Sequence, residues 1–402
     1  MMHTNDRSLT STKEEKVPRR DWILLPLLSL LTVGLLAVGI EVMAWHVLPS
    51  STTSVHNCWE INPIAGPRGI PNSECWEKVP EGQLTKFKFN SCGDLAGVEC
   101  GPKPPGVYRI VLVGTSFAMG LYIDREKTFA ALLPIELSRM TGRRIELYNE
   151  ASFWGTPQPL SENFNRVLAA QPDLVVWAMT PWDIGNTSYA LNRNASPADA
   201  GTEGVVDQPK GTLGRVRNSV ITSSTYRAAL ERWHDDKANL LMRHLLYESR
   251  TEYLKFYLYG SMKSLAGFLR AETTPEYQDR LRGTDMYAAD IEARAKAAGV
   301  PLVAVLLPNR AQAAMISSDD WPTGYDPYKL DLELRKIVTS HGGTYIDILS
   351  DFRNIPNPEQ HYLPVDGHPD AYWHSAVSKL LARELTSGAV PALRPSQEPE
   401  AK

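Results

Sequence analysis

The sequence has no excess of charge of either sign. Its 42 Lys and Arg residues stand against 46 Asp and Glu, a formal net charge of -4 over 402 residues. No global basic field is available to wrap a nucleic-acid backbone, so nucleic acid is excluded as a partner. Nor is the chain, at 43% hydrophobic, poor enough in apolar residues to stay disordered. Cysteine is scarce: Cys58, Cys75, Cys92 and Cys100 lie in one window and none follows. Their separations of 17, 17 and 8 positions differ from the C-x2-4-C pairs of structural zinc sites, which argues against a metal. Lys and Arg are missing between Arg20 and Arg68, and no internal repeat is present.

One long apolar run stands out. Residues 22–40 carry no charge, and at about 1.5 Å per residue they reach roughly 28 Å, close to the hydrocarbon thickness of a bilayer. Arg7, Lys13, Lys16, Arg19 and Arg20 precede the run and no basic residue follows it until Arg68. The positive-inside rule therefore keeps the N-terminus cytoplasmic and exports the rest. The expectation is a single-pass protein of the inner or plasma membrane with a periplasmic body. A cleaved signal peptide and a buried core helix are the alternatives, but a signal core is shorter and no small-x-small cleavage site follows Gly39. In an exported chain an even, clustered set of cysteines reads as two disulfides, with three connectivities open.

Organisation follows from composition. The expected divisions are a basic leader at 1–21, a membrane helix at 22–45, a Pro/Gly/Asn-rich cysteine-bearing stalk or subdomain at 46–106, a catalytic-type domain at 107–388 and a disordered tail at 389–402. Within the large domain, near-continuous apolar runs at 108–114, 144–149, 173–179, 301–307 and 344–349 alternate with helical stretches. That pattern predicts a parallel sheet covered on both faces, a flavodoxin-like three-layer α/β/α domain with five strands. Residues 190–283 interrupt it with a polar stretch and a long aromatic-bearing helical region. An insertion after strand three is expected to border the site at the strand ends; a helical pack serving stability alone is the other reading.

In doubly wound sheets the ligand lies outside the carboxyl ends of the strands. After strand one comes Gly114-Thr115-Ser116, where a Ser at a tight strand-to-helix turn is suited to be a nucleophile. After strand two come Asn149 and, further on, Gly155; after strand three come Trp182, Asp183 and Asn186; beyond strand five lie Asp366 and His368. A neutral imidazole at His368 would take the Ser116 proton while Asp366 orients it. Asp183 reads as a cap or loop anchor. His361 and His374 flank the base, but no carboxylate or thiol at ligand spacing makes them a zinc set. The N-x-S/T sequons at Asn186 and Asn194, and the basic residues Arg193, Lys210, Arg215 and Arg217, read as surface features; a contact of the latter with an acidic polysaccharide is the alternative.

The blocks VYRIVLVGTSFAMGLYIDREKTFAALLPIEL and VDGHPDAYWHSAVSKLLARE resemble the first and last blocks of SGNH/GDSL-type hydrolases, with similarity over roughly 107–190 and 300–386. The resemblance implies Ser116 as nucleophile, His368 as base, Asp366 as its partner, and the Ser116 and Gly155 backbone N–H groups as oxyanion donors. Thr115 replaces a common Asp, and D-x-H replaces the commoner D-x-x-H, a variant found in related polysaccharide-acetylating proteins. In the third block Trp182 stands where the oxyanion-binding Asn belongs; its indole N–H, or Asn186 or Asn149, would have to substitute. The implied activity is a cofactor-independent, membrane-anchored serine esterase acting on acyl, most readily acetyl, esters of a carbohydrate or a small ester. The alternatives are a polysaccharide O-acetyltransferase using the same triad, and a non-catalytic component of cell-envelope polysaccharide machinery.

Overall fold

The computed structural model describes residues 18, 20–47, 52–53, 59–62, 66–79, 81–95, 97–153, 155–187, 237–318 and 320–395. The first element, α1 (Asp21–Val47), contains a 23-residue stretch of mean hydropathy 2.5 with no part buried in the protein. A helix that is apolar all round has no polar face to offer water. It is long and apolar enough to cross a membrane, a test that an anchor and a signal sequence pass alike.

The cysteine-bearing segment is folded rather than loop-like. Strands β1 (Thr52–Thr53), β4 (Glu74–Lys78) and β5 (Thr85–Lys88) form an antiparallel sheet, and β2 (Trp59–Asn62) pairs with β3 (Gly66–Gly69). Cys75, Phe87, Phe89 and Leu95 from this segment share one apolar cluster with Met119 and Leu121, which follow the candidate nucleophile. The expected boundary at 106 is thus crossed by a common core. Cys92 is joined to Cys100, and Cys75 is also disulfide-bonded, whereas Cys58 lies outside the described residues.

The main sheet is parallel and contains β6 (Val107–Gly114), β7 (Arg144–Asn149), β8 (Leu174–Met179), β9 (Leu302–Leu306) and β10 (Thr344–Ile346), in the spatial order β10-β9-β8-β6-β7. Its inner strands are buried throughout, as covering on two faces requires. After β6 comes the single-turn α2 (Ser116–Met119), then α3 (Phe129–Thr141); α4 (Pro157–Ala169) precedes β8 and the short α5 (Pro181–Gly185) follows it. The described part of the insertion holds α6 (Lys237–Glu248) and α7 (Arg250–Tyr259). The helices α8 (Pro275–Ala297), α9 (Arg310–Ser318), α10 (Lys329–Ser340) and α11 (Ala371–Glu384) complete the domain. On one face α3 packs on α11, while α4, α8 and α10 pack in succession on the other.

Four details differ from the sequence reading. The last strand stops at Ile346, because the Asp347 carboxylate accepts the Leu349 N–H at 2.8 Å and turns the chain. Helix α8 starts at Pro275, capped by Thr274, so the expected end of the insertion at 283 falls inside a continuous helix. Helix α9 is an additional element: Arg310 through Ile316 are all buried, so it presents no polar stripe to mark its period. The chain beyond 388 stays packed, with Val390 and Leu393 buried, up to the described limit at 395. Asn194, Arg193, Lys210, Arg215 and Arg217 lie outside the described residues.

Burial of Leu393 makes the segment just beyond 388 part of the core. Leu393→Ala is expected to lower unfolding stability by about 2–5 kcal/mol, the usual cost of truncating a buried Leu, in denaturant titrations of the detergent-solubilised chain. Arg394→Ala, at an exposed neighbour, is the control; equal midpoints for the two variants would return residues beyond 388 to the status of a tail.

Candidate active site

The site begins where β6 and β8 end. Gly114 has φ +149, and a Cβ there would collide with the Ala178 carbonyl oxygen of β8, so only glycine lets the two strands stay in register to this point. Thr115 follows, buried, its hydroxyl donating to Asp183 Oδ1 at 2.6 Å. Ser116 is then the first residue of α2, half-buried, where helix geometry leaves the backbone N–H without an intrahelical acceptor. Asn149 at the end of β7 donates its amide to Ala118 O at 3.0 Å and so ties α2 to the sheet.

Opposite stands a hairpin between Tyr362 and Pro369. Asp366 Oδ1 lies 2.6 Å from His368 Nδ1 and also accepts the His368 N–H at 3.2 Å, with Gly367 between them at φ +86, a conformation suited to glycine. A carboxylate at Nδ1 assigns the proton to that nitrogen and leaves the Nε2 lone pair as the basic site. Nε2 is buried and has no hydrogen-bond partner among the described residues. The ring sits between Phe117, at 5.5 Å, and Tyr122, at 5.1 Å between centroids. Phe117 therefore brings the base beside the residue next to Ser116. Among the described residues no hydrogen bond joins Ser116 to His368; catalytic contacts of this kind commonly close only around a substrate.

The candidate oxyanion donors are distributed unevenly. Gly155 approaches Gly114 so closely that a Cβ would strike the Gly114 carbonyl oxygen, and its N–H is donated to Ser152 O at 3.0 Å. Asn149 is committed to α2. Asn186 gives its side-chain amide to Trp182 O at 2.8 Å and closes α5 instead of facing Ser116. Trp182 itself is 54% exposed. Among the described residues, the Ser116 N–H and the Trp182 indole N–H are donors with no hydrogen-bond partner.

The flanking histidines do structural work. His374 is fully buried, its Nδ1 accepts the Phe129 N–H at 3.2 Å, and burial lowers its pKa to about 3. His361 stacks on Tyr372 at 3.9 Å and pairs with Asp370. Asp183 forms a capping box with Thr180 and is completely buried; burial is the larger effect and raises its pKa to about 7, against hydrogen bonds from Thr115 and Thr180 that lower it.

Three residues carry no sequence signal yet hold the site. Glu81 accepts the backbone N–H groups of Val365 and Asp366, at 3.1 and 2.9 Å, and faces His244 Nδ1 at 2.7 Å. Arg310, buried on α9, donates to Pro364 O and Tyr247 O. Only the fold brings these groups together, since 284 positions separate Glu81 from Val365.

No family model matches the chain, and no curated protein matches it. Among solved structures it is similar to a mutant of an acetyl-xylooligosaccharide esterase from Geobacillus Stearmophilus, at 10% identity over 69% of this chain and 94% of that one, with TM-score 0.37. It is similar to the lipase/acylhydrolase from Enterococcus faecalis at 14% identity, 72% and 100% coverage and TM-score 0.35. A psychrotrophic esterase from Pseudoalteromonas sp. follows at 8% identity, 69% and 97% coverage and TM-score 0.36. Likenesses at this level carry no argument, and the α/β topology stands on the strand order itself.

The buried Asp183 predicts a pH dependence. Between the ordinary Asp value of about 3.9 and about 7, the unfolded chain ionises this group while the folded chain keeps it neutral. Its contribution to stability is therefore complete below about pH 4 and lost as pH rises through about 7. Asp183→Asn preserves shape: its oxygen accepts the Thr180 N–H and its NH2 meets the Thr115 hydroxyl. The fall in melting temperature between pH 5 and pH 8 should be shallower in this variant, and identical slopes would contradict an Asp183 held neutral by burial.

Proposed function

We propose that the chain is a membrane-anchored serine esterase of the SGNH/GDSL type, facing the periplasm, that removes acyl groups, acetyl foremost, from a carbohydrate ester. The observation that carries this reading is the Asp366–His368 pair, its buried Nε2 without a hydrogen-bond partner among the described residues, lying against Phe117, the residue after Ser116. The basic leader followed by α1 supports the anchor and its orientation. The exposed indole of Trp182, on the helix that follows β8, supports a carbohydrate, because the apolar faces of sugar rings stack on such surfaces.

In this reading His368 Nε2 accepts the Ser116 hydroxyl proton as Oγ attacks the ester carbonyl, and Asp366 stabilises the imidazolium. The developing oxyanion takes the Ser116 N–H and the indole N–H. Collapse expels the sugar alkoxide, which recovers the proton from His368 and leaves an acyl-Ser116 ester. Water, deprotonated by His368, then releases the carboxylic acid and restores Ser116. A sugar hydroxyl replacing that water would make the same protein an O-acyltransferase. The D-x-H spacing, shared with polysaccharide-acetylating relatives, favours this second reading.

The detergent-solubilised full chain should hydrolyse 4-nitrophenyl acetate, with Ser116→Ala and His368→Ala each at least roughly 1000-fold slower in kcat. Equal rates for wild type and Ser116→Ala would end the enzymatic reading and leave a non-catalytic envelope component. Trp182→Phe keeps the ring but removes the donor; kcat should fall by roughly 100-fold, and an unchanged kcat removes the indole from the oxyanion hole. Acetylated acceptor glycan among the products would identify the transferase.

A further inference from the structure

The hairpin that carries Asp366 and His368 is held by a side chain from the cysteine-bearing segment. Glu81 lies in the turn between β4 and β5, where Gly82 N–H closes onto Val79 O at 3.0 Å. Its side chain is only 2% exposed. Burying a carboxylate is costly unless its oxygens are filled with donors. Here both are: Val365 N–H lies 3.1 Å from each oxygen, Asp366 N–H 2.9 Å from Oε2, and His244 Nδ1 2.7 Å from Oε1. Hydrogen bonds to a charged acceptor are roughly twice as strong as neutral ones.

The same peptide unit is gripped from its other end. The Pro364 carbonyl accepts from Arg310, whose guanidinium also reaches Glu359 O and Tyr247 O and lies 4.1 Å above the Tyr253 ring. The Pro364–Val365 peptide is thus clamped, its C=O by a buried cation and its N–H by a buried carboxylate. His244 and Tyr247, both on α6 of the insertion, close the clamp around both charges. Asp366 begins where this peptide ends, and two residues later the chain presents the imidazole that Asp366 orients.

We propose that Glu81 is a positioning residue for the Asp366–His368 pair, so that the cysteine-bearing subdomain and the inserted helix α6 are integral parts of the active site. Glu81 does not touch the substrate; it acts through the backbone of Asp366. The proposal rests on the esterase reading for its kinetic consequence, but its structural content is independent of that reading. A misplacement of about 1 Å caused by a mutation far from the chemistry can cost about 100-fold in rate.

The test uses the detergent-solubilised full chain with Glu81→Ala, Glu81→Gln and His244→Gln. Glu81→Ala should lower kcat for 4-nitrophenyl acetate 10- to 100-fold with KM unchanged within about twofold. Glu81→Gln, which retains one acceptor oxygen for the two N–H groups, should recover most of that loss. Hydrogen–deuterium exchange over residues 362–370 should accelerate in Glu81→Ala, with β6 to β9 unaltered. Exchange in 362–370 at the wild-type rate overturns the proposal whatever the activity, and so does faster exchange with wild-type kcat. Global loss of protection in Glu81→Ala moves the decision to His244→Gln, where local acceleration over residues 362–370 supports the proposal and its absence refutes it. If wild type and Ser116→Ala were equally inert, the esterase reading would fail while the exchange data still decided the role of Glu81.

Discussion

Contact between β6 and β8 at their carboxyl ends is the constraint from which the rest of the site follows. The chain leaves β6 toward β7 on one side and returns through β8 toward β9 on the other, so the connections part at this pair and leave a crevice between them. The crevice takes its shape from how far the two strands remain paired. Gly114 against Ala178 extends pairing to the last residue of β6, and the turn that follows must therefore be tight. Thr115 is driven inward, where it meets Asp183 from the turn after β8, and Ser116 emerges at the open mouth. The two turns are thus fastened to each other rather than to solvent. A hydroxyl placed this way inherits the rigidity of the sheet.

The proposed base has no such inheritance. His368 sits on a hairpin far beyond β10, and a hairpin of a few residues holds its shape only against something fixed. Apolar packing supplies part of this through Phe117 and Tyr122. Packing is indifferent to small slides along a ring face, however, whereas hydrogen bonds to a buried ion are not. Opposite charges at Glu81 and Arg310, gripping opposite ends of one peptide, resist rotation as well as translation. Each is desolvated, and each fills its valences with backbone groups, which is the condition under which buried ions are tolerable. The cost of burying them is offset only while the hairpin remains in place, which couples their solvation to the geometry of the base.

Legibility in the sequence tracked the range of the interactions. The five strands were readable because burial on both faces writes itself as continuous apolar runs, and their boundaries agree within a few residues. The position of Ser116 was readable because it directly follows the first apolar run, and the meeting of Asp366 with His368 because only two positions separate them. Helix α9 escaped notice because complete burial erases amphipathic period, even with Arg310 inside it. The antiparallel strands before β6 escaped because they are two to five residues long and interspersed with Pro and Gly, so composition suggested loops. Glu81 could not have been found at all: the donors that hairpin 362–369 offers it are backbone N–H groups, which every residue but Pro possesses.

The third-block substitution is clearer when each polar group nearby is followed to its partner. Asn149 cannot be spared, since its amide fastens α2 and hence the Ser116 backbone. Asn186 completes the end of a five-residue helix that would otherwise leave the Trp182 carbonyl without this donor. Gly155 spends its N–H on Ser152, in a turn forced close to Gly114. Each amide that could have replaced the missing side chain is thus already bound by the scaffold that makes the crevice. A donor that must break an existing bond to receive an oxyanion contributes less than one held ready, because preorganisation is the source of oxyanion stabilisation. The indole of Trp182 is ready in that sense: it is exposed, on the helix that follows β8, and its carbonyl rather than its ring carries the structural bond. Under the proposed esterase reading, the tryptophan would be an alternative way of meeting the same electrostatic need.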